Sequence, residues 1–265
     1  MNSPGSSRPR PAKPADGLAW VTGASSGIGR QVALDLARAG WTVVVTARRA
    51  EELAKLAAEG PAGKIIAAPA DVTDAQAIDA AVHTAQTEAG RPIALALLNA
   101  GTYMTDSAER FDLAAFSAQV NVNLIGTANA LAAVMPAMIA RQSGQIAIVS
   151  SVAGYRGLPR AIAYSATKAA LIAMSESLKF DLDHAGVMMN VVNPGFVKTP
   201  LTDRNDFPMP FLMSVEDASQ RVVQGLARGG FEVCFPRRFA YILKTMRLLP
   251  YALYFPLVGR TTGKR

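Results

Sequence analysis

Seven apolar runs bounded by turn-forming residues punctuate the chain, at 18–22, 42–46, 64–68, 94–98, 146–150, 187–193 and 231–235. Between most of them lie segments with apolar residues at helical spacing, about 28–39, 50–59, 75–88, 110–141, 164–184 and 214–228. This alternation of short strand and amphipathic helix leaves few solutions. Each helix must cross back over a sheet before the next strand can start, which makes the strands parallel and the connections right-handed. The expected fold is α/β, a doubly wound, seven-stranded parallel sheet of Rossmann-like form in a single domain, with ligands at the carboxyl ends of the strands. Half of the 265 residues are apolar, which suits strands buried on both faces.

The two ends differ from this body. Residues 1–16 are rich in Pro, Ser and Gly, have no apolar stretch to serve as a secretory signal, and read as a disordered tail. Residues 17–235 read as the catalytic domain, and 236–265 as a basic, apolar C-terminal extension. The formal charge is +7, and residues 228–265 alone carry eight Lys/Arg against one acid, Glu232. The basicity therefore sits at the ends, on no recognisable nucleic-acid module, and no nucleic-acid partner is expected. A single cysteine, Cys234, excludes an internal disulfide.

The turn after the first apolar run reads Thr22-Gly23-Ala24-Ser25-Ser26-Gly27-Ile28-Gly29. Strand, glycine-rich turn and helix in succession form a phosphate cradle. Glycine lets the backbone approach a pyrophosphate, and the helix start offers free N–H groups and a positive dipole end. The spacing G-x-x-x-G-x-G differs from the general dinucleotide fingerprint, and no Gly-Lys-Ser/Thr follows to make a Walker loop. Past the second strand comes Ala47-Arg48-Arg49, where an NAD site would place a carboxylate on the ribose 2′-hydroxyl. A guanidinium at Arg48 suits a 2′-phosphate instead.

Tyr164 and Lys168 are four residues apart, so a helix sets them on one face. An adjacent ammonium, with a cationic nicotinamide, would lower the phenol by roughly three units, about 4 kcal/mol, toward working pH. Tyr164 is then the proton donor in reduction and the base in oxidation. Ser151, at the end of the fifth run, can donate to the substrate oxygen, with Ser150 as competitor. The two histidines, His83 and His184, lie in helix-period segments. No Gly-x-Ser-x-Gly elbow and no metal-spaced cluster occurs, so neither a serine hydrolase nor a metal site is expected.

Together with Asn99-Ala100-Gly101, Asn123 and Asn193-Pro194-Gly195, these motifs occur in the order found in the short-chain dehydrogenase/reductase family, which the chain resembles from about Leu18 to Thr199. The resemblance implies a nicotinamide dinucleotide cofactor, with NADP(H) preferred over NAD(H) by way of Arg48. It implies cofactor contacts from Gly23, Ser25, Ser26, Gly27, Ile28 and Gly29, and adenine contacts from Asp71 and Val72. Asn99, Ala100, Gly101, Pro194, Gly195, Val197 and Thr199 would line the rest of the cofactor. Ser151, rather than Ser150, has the family's spacing to the tyrosine. Lys168 would also hold the nicotinamide ribose, and Asn123 would link it to solvent in a proton relay. As bare chemistry, Asp71 could equally cap the helix beginning near Asp74.

Residues 200–213 would cover the substrate. Phe207 and Phe211, with Tyr103 and Tyr155, suggest a hydrophobic wall, hence a small hydrophobic carbonyl or alcohol substrate. The extension at 236–259 mixes Tyr, Phe and Leu with Lys244 and Arg247, and Pro250 and Pro256 interrupt its helical period. A lid, a subunit contact and peripheral membrane contact all suit it. The expected protein is a cytoplasmic homo-oligomer, or a membrane-associated form. The activity expected is NADP(H)-dependent carbonyl reduction or alcohol oxidation. The alternatives are a membrane-surface reductase of long-chain or 3-oxoacyl ketones and a non-catalytic NADP(H)-binding regulator.

Overall fold

The computed structural model describes residues 9–203 and 207–262. Seven parallel strands run β1 Leu18–Thr22, β2 Val43–Thr46, β3 Ile65–Ala67, β4 Ile93–Leu98, β5 Gly144–Val149, β6 Val187–Pro194 and β7 Glu232–Phe235. Their order in the sheet is β3-β2-β1-β4-β5-β6-β7. Each expected run contains a strand whose backbone pairs with its neighbours in the sheet. The order reverses between β1 and β4, which opens a crevice at their carboxyl ends.

The helices are α1 Gly27–Arg38, α2 Ala50–Glu59, α3 Ala75–Ala89, α4 Leu113–Val120, α5 Gly126–Ala140, α6 Ile162–His184, α7 Val215–Arg228, α8 Arg237–Arg247 and α9 Tyr251–Thr262. Alternation along the strands feeds two cores. Ala19 and Val21 of β1 join a cluster with residues of α1, α2 and α7, whereas Leu18 and Trp20 join one with residues of α3, α5 and α6. Trp20 is fully buried, and its indole N–H donates to Thr46 Oγ1 at 2.9 Å, so its one polar atom is satisfied.

The single helix expected over 110–141 is divided. A π-helical turn, Asn121–Ile125, separates α4 from α5. The stretch Leu113–Ala140 is long and apolar enough to cross a bilayer. Val134 and Met138 nevertheless belong to the second core, so this is a core helix on the sheet.

Two expectations need correction here. Residues 9–16 are placed, not disordered: Arg10 pairs with Asp16 through two contacts of 2.8 Å, and the Ala12 N–H donates to Gln145 Oε1 at 2.9 Å. The segment lacks a core of its own but borrows polar partners from the amino-terminal edge of the sheet; residues 1–8 lie outside the described residues. Pro256 does not break the C-terminal helix, since it lies inside α9. Both Pro256 and Ala252, four residues earlier, are exposed, so water can serve the carbonyl whose N–H partner is missing.

Candidate active site

The carboxyl ends of β1 and β4 meet at the glycine-rich turn. Gly23 and Gly27 have φ of +67° and +56°, a region costly to residues with a Cβ. At Gly29 a Cβ would lie 2.4 Å from Asn99 Nδ2, so only glycine lets helix α1 sit this close to β4. Asn99 fastens the two strand ends. Its backbone N–H donates to Thr22 Oγ1 at 2.9 Å and its amide to the Thr22 carbonyl at 3.1 Å. The Ala100 N–H shares the Thr22 hydroxyl at 3.0 Å. Asn99 therefore shapes the cradle from behind.

Helix α1 begins at Gly27, and among the described residues the Ser26 hydroxyl caps none of its first-turn N–H groups. These donors, the positive φ of Gly27 and the lack of a Cβ make a cradle that fits a pyrophosphate. Thr199 lies across from Gly27: a Cβ there would meet Thr199 Cγ2 at 3.1 Å.

Arg48 is largely exposed and lies 4.0 Å from Asp71 Oδ2. Arg49, beside it in the sequence, also reaches the turn, donating to Ser25 Oγ at 3.0 Å. Asp71 does not cap α3. Asp74 does, accepting from the N–H groups of Gln76 and Ala77. Asp71 accepts from the Thr73 N–H and hydroxyl at 2.9 Å each. Burial pushes its carboxyl up, but these bonds and Arg48 outweigh it and hold it below its ordinary value. Val72 is buried, and Gly126 of α5 packs against its side chain.

On the other side of the crevice, Tyr164 and Lys168 occupy the first turns of α6. Lys168 Nζ lies 5.5 Å from the Tyr164 ring centroid and donates to the Val149 carbonyl at 2.9 Å. Burial pushes the ammonium down to about 8. It also pushes the Tyr164 phenol up to about 12, partly offset by a hydrogen bond with Ser151 and reinforced by Tyr103. The lowering expected of Lys168 together with a cationic nicotinamide is not supplied by the protein's own groups alone. The ammonium is aimed at a strand carbonyl and is itself desolvated, so within the protein's own groups burial dominates.

The choice between the two serines is decided by direction. Ser150 donates to the Lys168 carbonyl at 2.7 Å and is consumed in joining β5 to α6. Ser151 Oγ turns toward Tyr164, accepts from the Ala153 N–H at 3.1 Å and makes only a long contact of 3.4 Å to the Pro194 carbonyl. Asn123 lies fully buried in the π turn, and every polar side-chain atom is used. Its Oδ1 accepts from the Thr102 N–H at 2.7 Å, and its Nδ2 donates to the Thr102 carbonyl at 3.0 Å and to Thr167 Oγ1 at 3.1 Å. Gly101 faces both Asn123 Oδ1 and Lys168 Nζ, at 3.4 and 3.5 Å from where its Cβ would stand.

Tyr103 meets Tyr164 edge-on, with ring centroids 5.0 Å apart. Phe207 and Phe211 fall into an aromatic chain with two residues the sequence reading missed: Phe196 contacts Phe207 at 6.0 Å and Phe239 at 5.8 Å, and Phe239 contacts Phe211 at 5.8 Å. Phe239 belongs to α8, far along the chain, so no local pattern could point to it. Residues 204–206 of the substrate loop lie outside the described residues. The loop's far end is held by a parallel bridge between Val197 and Met213.

Tyr155 does not join the wall. It is buried, and its hydroxyl donates to Glu232 Oε1 at 2.6 Å. Glu232 also accepts from Asn193 Nδ2 at 2.8 Å and pairs with Lys244. Burial raises its carboxyl, but these bonds outweigh that and hold it below the usual range. Gly195 likewise serves packing: its Cβ would press on Pro236 and Phe239, at 3.0 and 3.1 Å.

A glycine cradle, a Ser-Tyr-Lys cluster at the strand ends and the strand order together match one family. The sequence fits the short chain dehydrogenase family over residues 18–207. The chain belongs to the short-chain dehydrogenase/reductase family, and is thus an NAD(P)-dependent dehydrogenase/reductase. It is 42% identical over 238 residues to an uncharacterized oxidoreductase of Myxococcus xanthus, covering 89% of this chain and 94% of the relative. An uncharacterized oxidoreductase of Staphylococcus epidermidis is 30% identical, with 82% and 94% covered. The crystal structure of a 3-ketoacyl-ACP reductase from Sinorhizobium meliloti superposes with a TM-score of 0.74 at 29% identity, over 82% of this chain and 96% of that one. Levodione reductase, at 23% identity and a TM-score of 0.77, covers 85% of this chain and 98% of its own and shares the fold.

Proposed function

We propose that this reductase moves a hydride between NADP(H) and the carbonyl or secondary alcohol carbon of a small hydrophobic substrate. The reading rests on the Ser151–Tyr164–Lys168 cluster at the carboxyl end of β5. The bound nicotinamide supplies the hydride in reduction and accepts it in oxidation. Ser151 Oγ donates to the substrate oxygen as negative charge grows there. Tyr164 Oη releases its proton to that oxygen, so a new C–H and a new O–H bond replace the carbonyl π bond. Lys168, four residues along α6, stabilises the phenolate left behind. Asn123 fixes the floor beside Lys168 through Thr102 and Thr167, near where the proton must be restored.

Preference for NADP(H) is supported by Ala47 in place of a carboxylate and by Arg48 and Arg49 at the rim of the glycine turn. Tyr103 against Tyr164, together with the aromatic chain of Phe207, Phe196, Phe239 and Phe211, supports an apolar substrate. A homo-oligomer in the cytoplasm completes the reading, with exposed Leu113, Ile125 and Phe180 of the α4–α6 region as subunit contacts. The test is cofactor oxidation with NADPH and with NADH against apolar ketones, short aldehydes and sugars. Turnover of apolar ketones with NADPH is expected. Equal use of NADH, or preference for sugars, would reject the corresponding part.

A further inference from the structure

Helices α8 and α9 form a hairpin whose inner side is well fixed. Ala240 packs with Val152, Tyr155, Ile172 and Val191. Tyr254 and Val258, one turn apart on α9, are buried. The Tyr254 hydroxyl donates to the Gly157 carbonyl at 2.6 Å. Arg156 stacks on the Tyr254 and Tyr251 rings, at 3.8 and 4.8 Å, and its Nη1 donates to the Met246 and Leu249 carbonyls at 2.8 Å each.

The outer side combines apolar surface with one sign of charge. Tyr241, Ile242, Leu248, Tyr251, Leu253 and Phe255 are all exposed, Leu248 at the hairpin's bend by 82%. No acid follows Glu232 in the sequence, while Arg237, Arg238, Arg247 and Arg260, on the same two helices, are exposed. Lys244 is the exception, held inward by Glu232. Exposed apolar side chains normally scatter singly; six of them on two consecutive helices, interspersed with cations, mark a partner.

We propose that this face docks on the surface of an anionic lipid bilayer. Charge complementarity selects the occupant. A second copy of the same face would set arginine against arginine across a two-fold axis, which opposes association. Anionic headgroups match the four guanidinium groups, and Tyr, Leu and Phe suit shallow insertion at the interface. A pinned hairpin also inserts without the cost of ordering a free chain. Phe239, on the same helix, touches Phe211 of the substrate loop, so docking would bring the substrate mouth near the bilayer. That consequence rests on the apolar-substrate reading; the docking itself does not.

The test is co-sedimentation of the intact protein with vesicles of phosphatidylcholine alone and of phosphatidylcholine mixed with phosphatidylglycerol, at low and high salt. Binding to the anionic vesicles should exceed binding to the neutral ones by about tenfold or more at low salt, and fall steeply at high salt. The double substitution Leu248→Glu, Leu253→Glu should lower it by about tenfold or more, with melting temperature and NADPH consumption on a soluble ketone unchanged, since both side chains are exposed. No binding to anionic vesicles at low salt would overturn the proposal. So would glutamate variants that keep vesicle binding but turn a dimer into monomers, which would make the face a self-interface. Loss of ketone reduction with vesicle binding intact would count against the redox reading alone.

Discussion

At the β1–β4 end of the sheet, the site is fastened where two neighbouring strands end: Asn99 and Ala100 both hang on the Thr22 hydroxyl, and Gly29 leaves room for Asn99. At the β5–β7 end, it is fastened by side chains that reach beyond the strands, into α8 and the segment after β5. Tyr155 is held by Glu232, Glu232 by Lys244 and Asn193, and Arg156 by the α8–α9 hairpin. The first half presents N–H groups to a pyrophosphate that every dinucleotide carries, so it needs a fixed shape. On the proposed reading the second half meets a variable substrate, walled by Phe196, Phe207, Phe211 and Phe239 of α8. Specificity can thus change through the C-terminal region without disturbing the cradle.

The sharpest way to separate the halves is to remove chemistry from one and leave binding in the other. Tyr164→Phe deletes the proton donor and keeps the buried ring. Turnover should fall by roughly 10²- to 10⁴-fold, the usual worth of a positioned acid. NADPH affinity, measured by fluorescence titration, should stay within about threefold, since a general acid adds rate rather than cofactor binding. Retention of more than about a tenth of the turnover would remove Tyr164 from the role. Lys168→Ala should lose both rate and cofactor affinity, which would show the one residue that spans the two halves.

The next effect tests the cradle's charge. Arg48→Ala should weaken NADPH roughly ten- to hundredfold, the loss of one charge-assisted phosphate contact. NADH affinity should barely move, and the KM for a ketone should not change. Because Arg49 touches Ser25 from the neighbouring position, the double variant should exceed the single one. Equal losses for both cofactors would mean that these arginines support the loop and do not read a phosphate.

The sequence made the cradle half legible and the other half only partly so. Strands appear where apolar runs do, because a parallel sheet covered on both faces leaves the run itself as the signal. The glycine turn, Asn99 and the Tyr164–Lys168 spacing are local patterns, and the structure brings them together at the strand ends. The π turn was not legible. Asn123 is satisfied by Thr102 and Thr167, residues 21 and 44 positions away, and only the folded chain juxtaposes them. Tyr155 lies four residues after Ser151 and looked like part of the substrate wall, but Glu232, 77 residues on, claims its hydroxyl. Phe196 and Phe239 were missed for the same reason, since their meaning lies in a contact between β6's exit and α8.

The Glu232 knot gives a smaller effect with a pH signature. Its carboxyl titrates below its ordinary value in the folded protein, so the unfolded chain holds the proton more tightly. The resulting stability is present above the unfolded value of about 4.3 and is lost as pH falls through the folded one. Glu232→Gln should cost about 1–2 kcal/mol near neutrality, as weaker bonds to Tyr155, Asn193 and Lys244 replace charge-assisted ones. Urea unfolding should show this gap closing on acidification below pH ~4. A gap that stays constant with pH would assign the loss to shape and not to charge.

The smallest effect is the most telling about how the halves are joined. Arg156 lies between Ser151 and Tyr164 in sequence, and ties that segment to the hairpin by stacking on Tyr251 and Tyr254 and by donating to the carbonyls at the end of α8. Water can replace these bonds at a half-buried position, so Arg156→Ala should lower global stability by only about 1 kcal/mol. Locally the change should be larger. Hydrogen exchange at the amides of 246–257 should quicken, because the hairpin loses its clasp while the sheet does not. The KM for an apolar ketone should then rise about two- to fivefold, as Phe239 and the substrate loop lose a fixed neighbour. Arg156→Lys should not restore it, since an ammonium lacks the flat face that stacks on two rings and the fork that reaches several carbonyls. NADPH affinity should stay at the wild-type value; a parallel loss there would show that the hairpin braces the cradle as well, and that the two halves of the site are one mechanical unit.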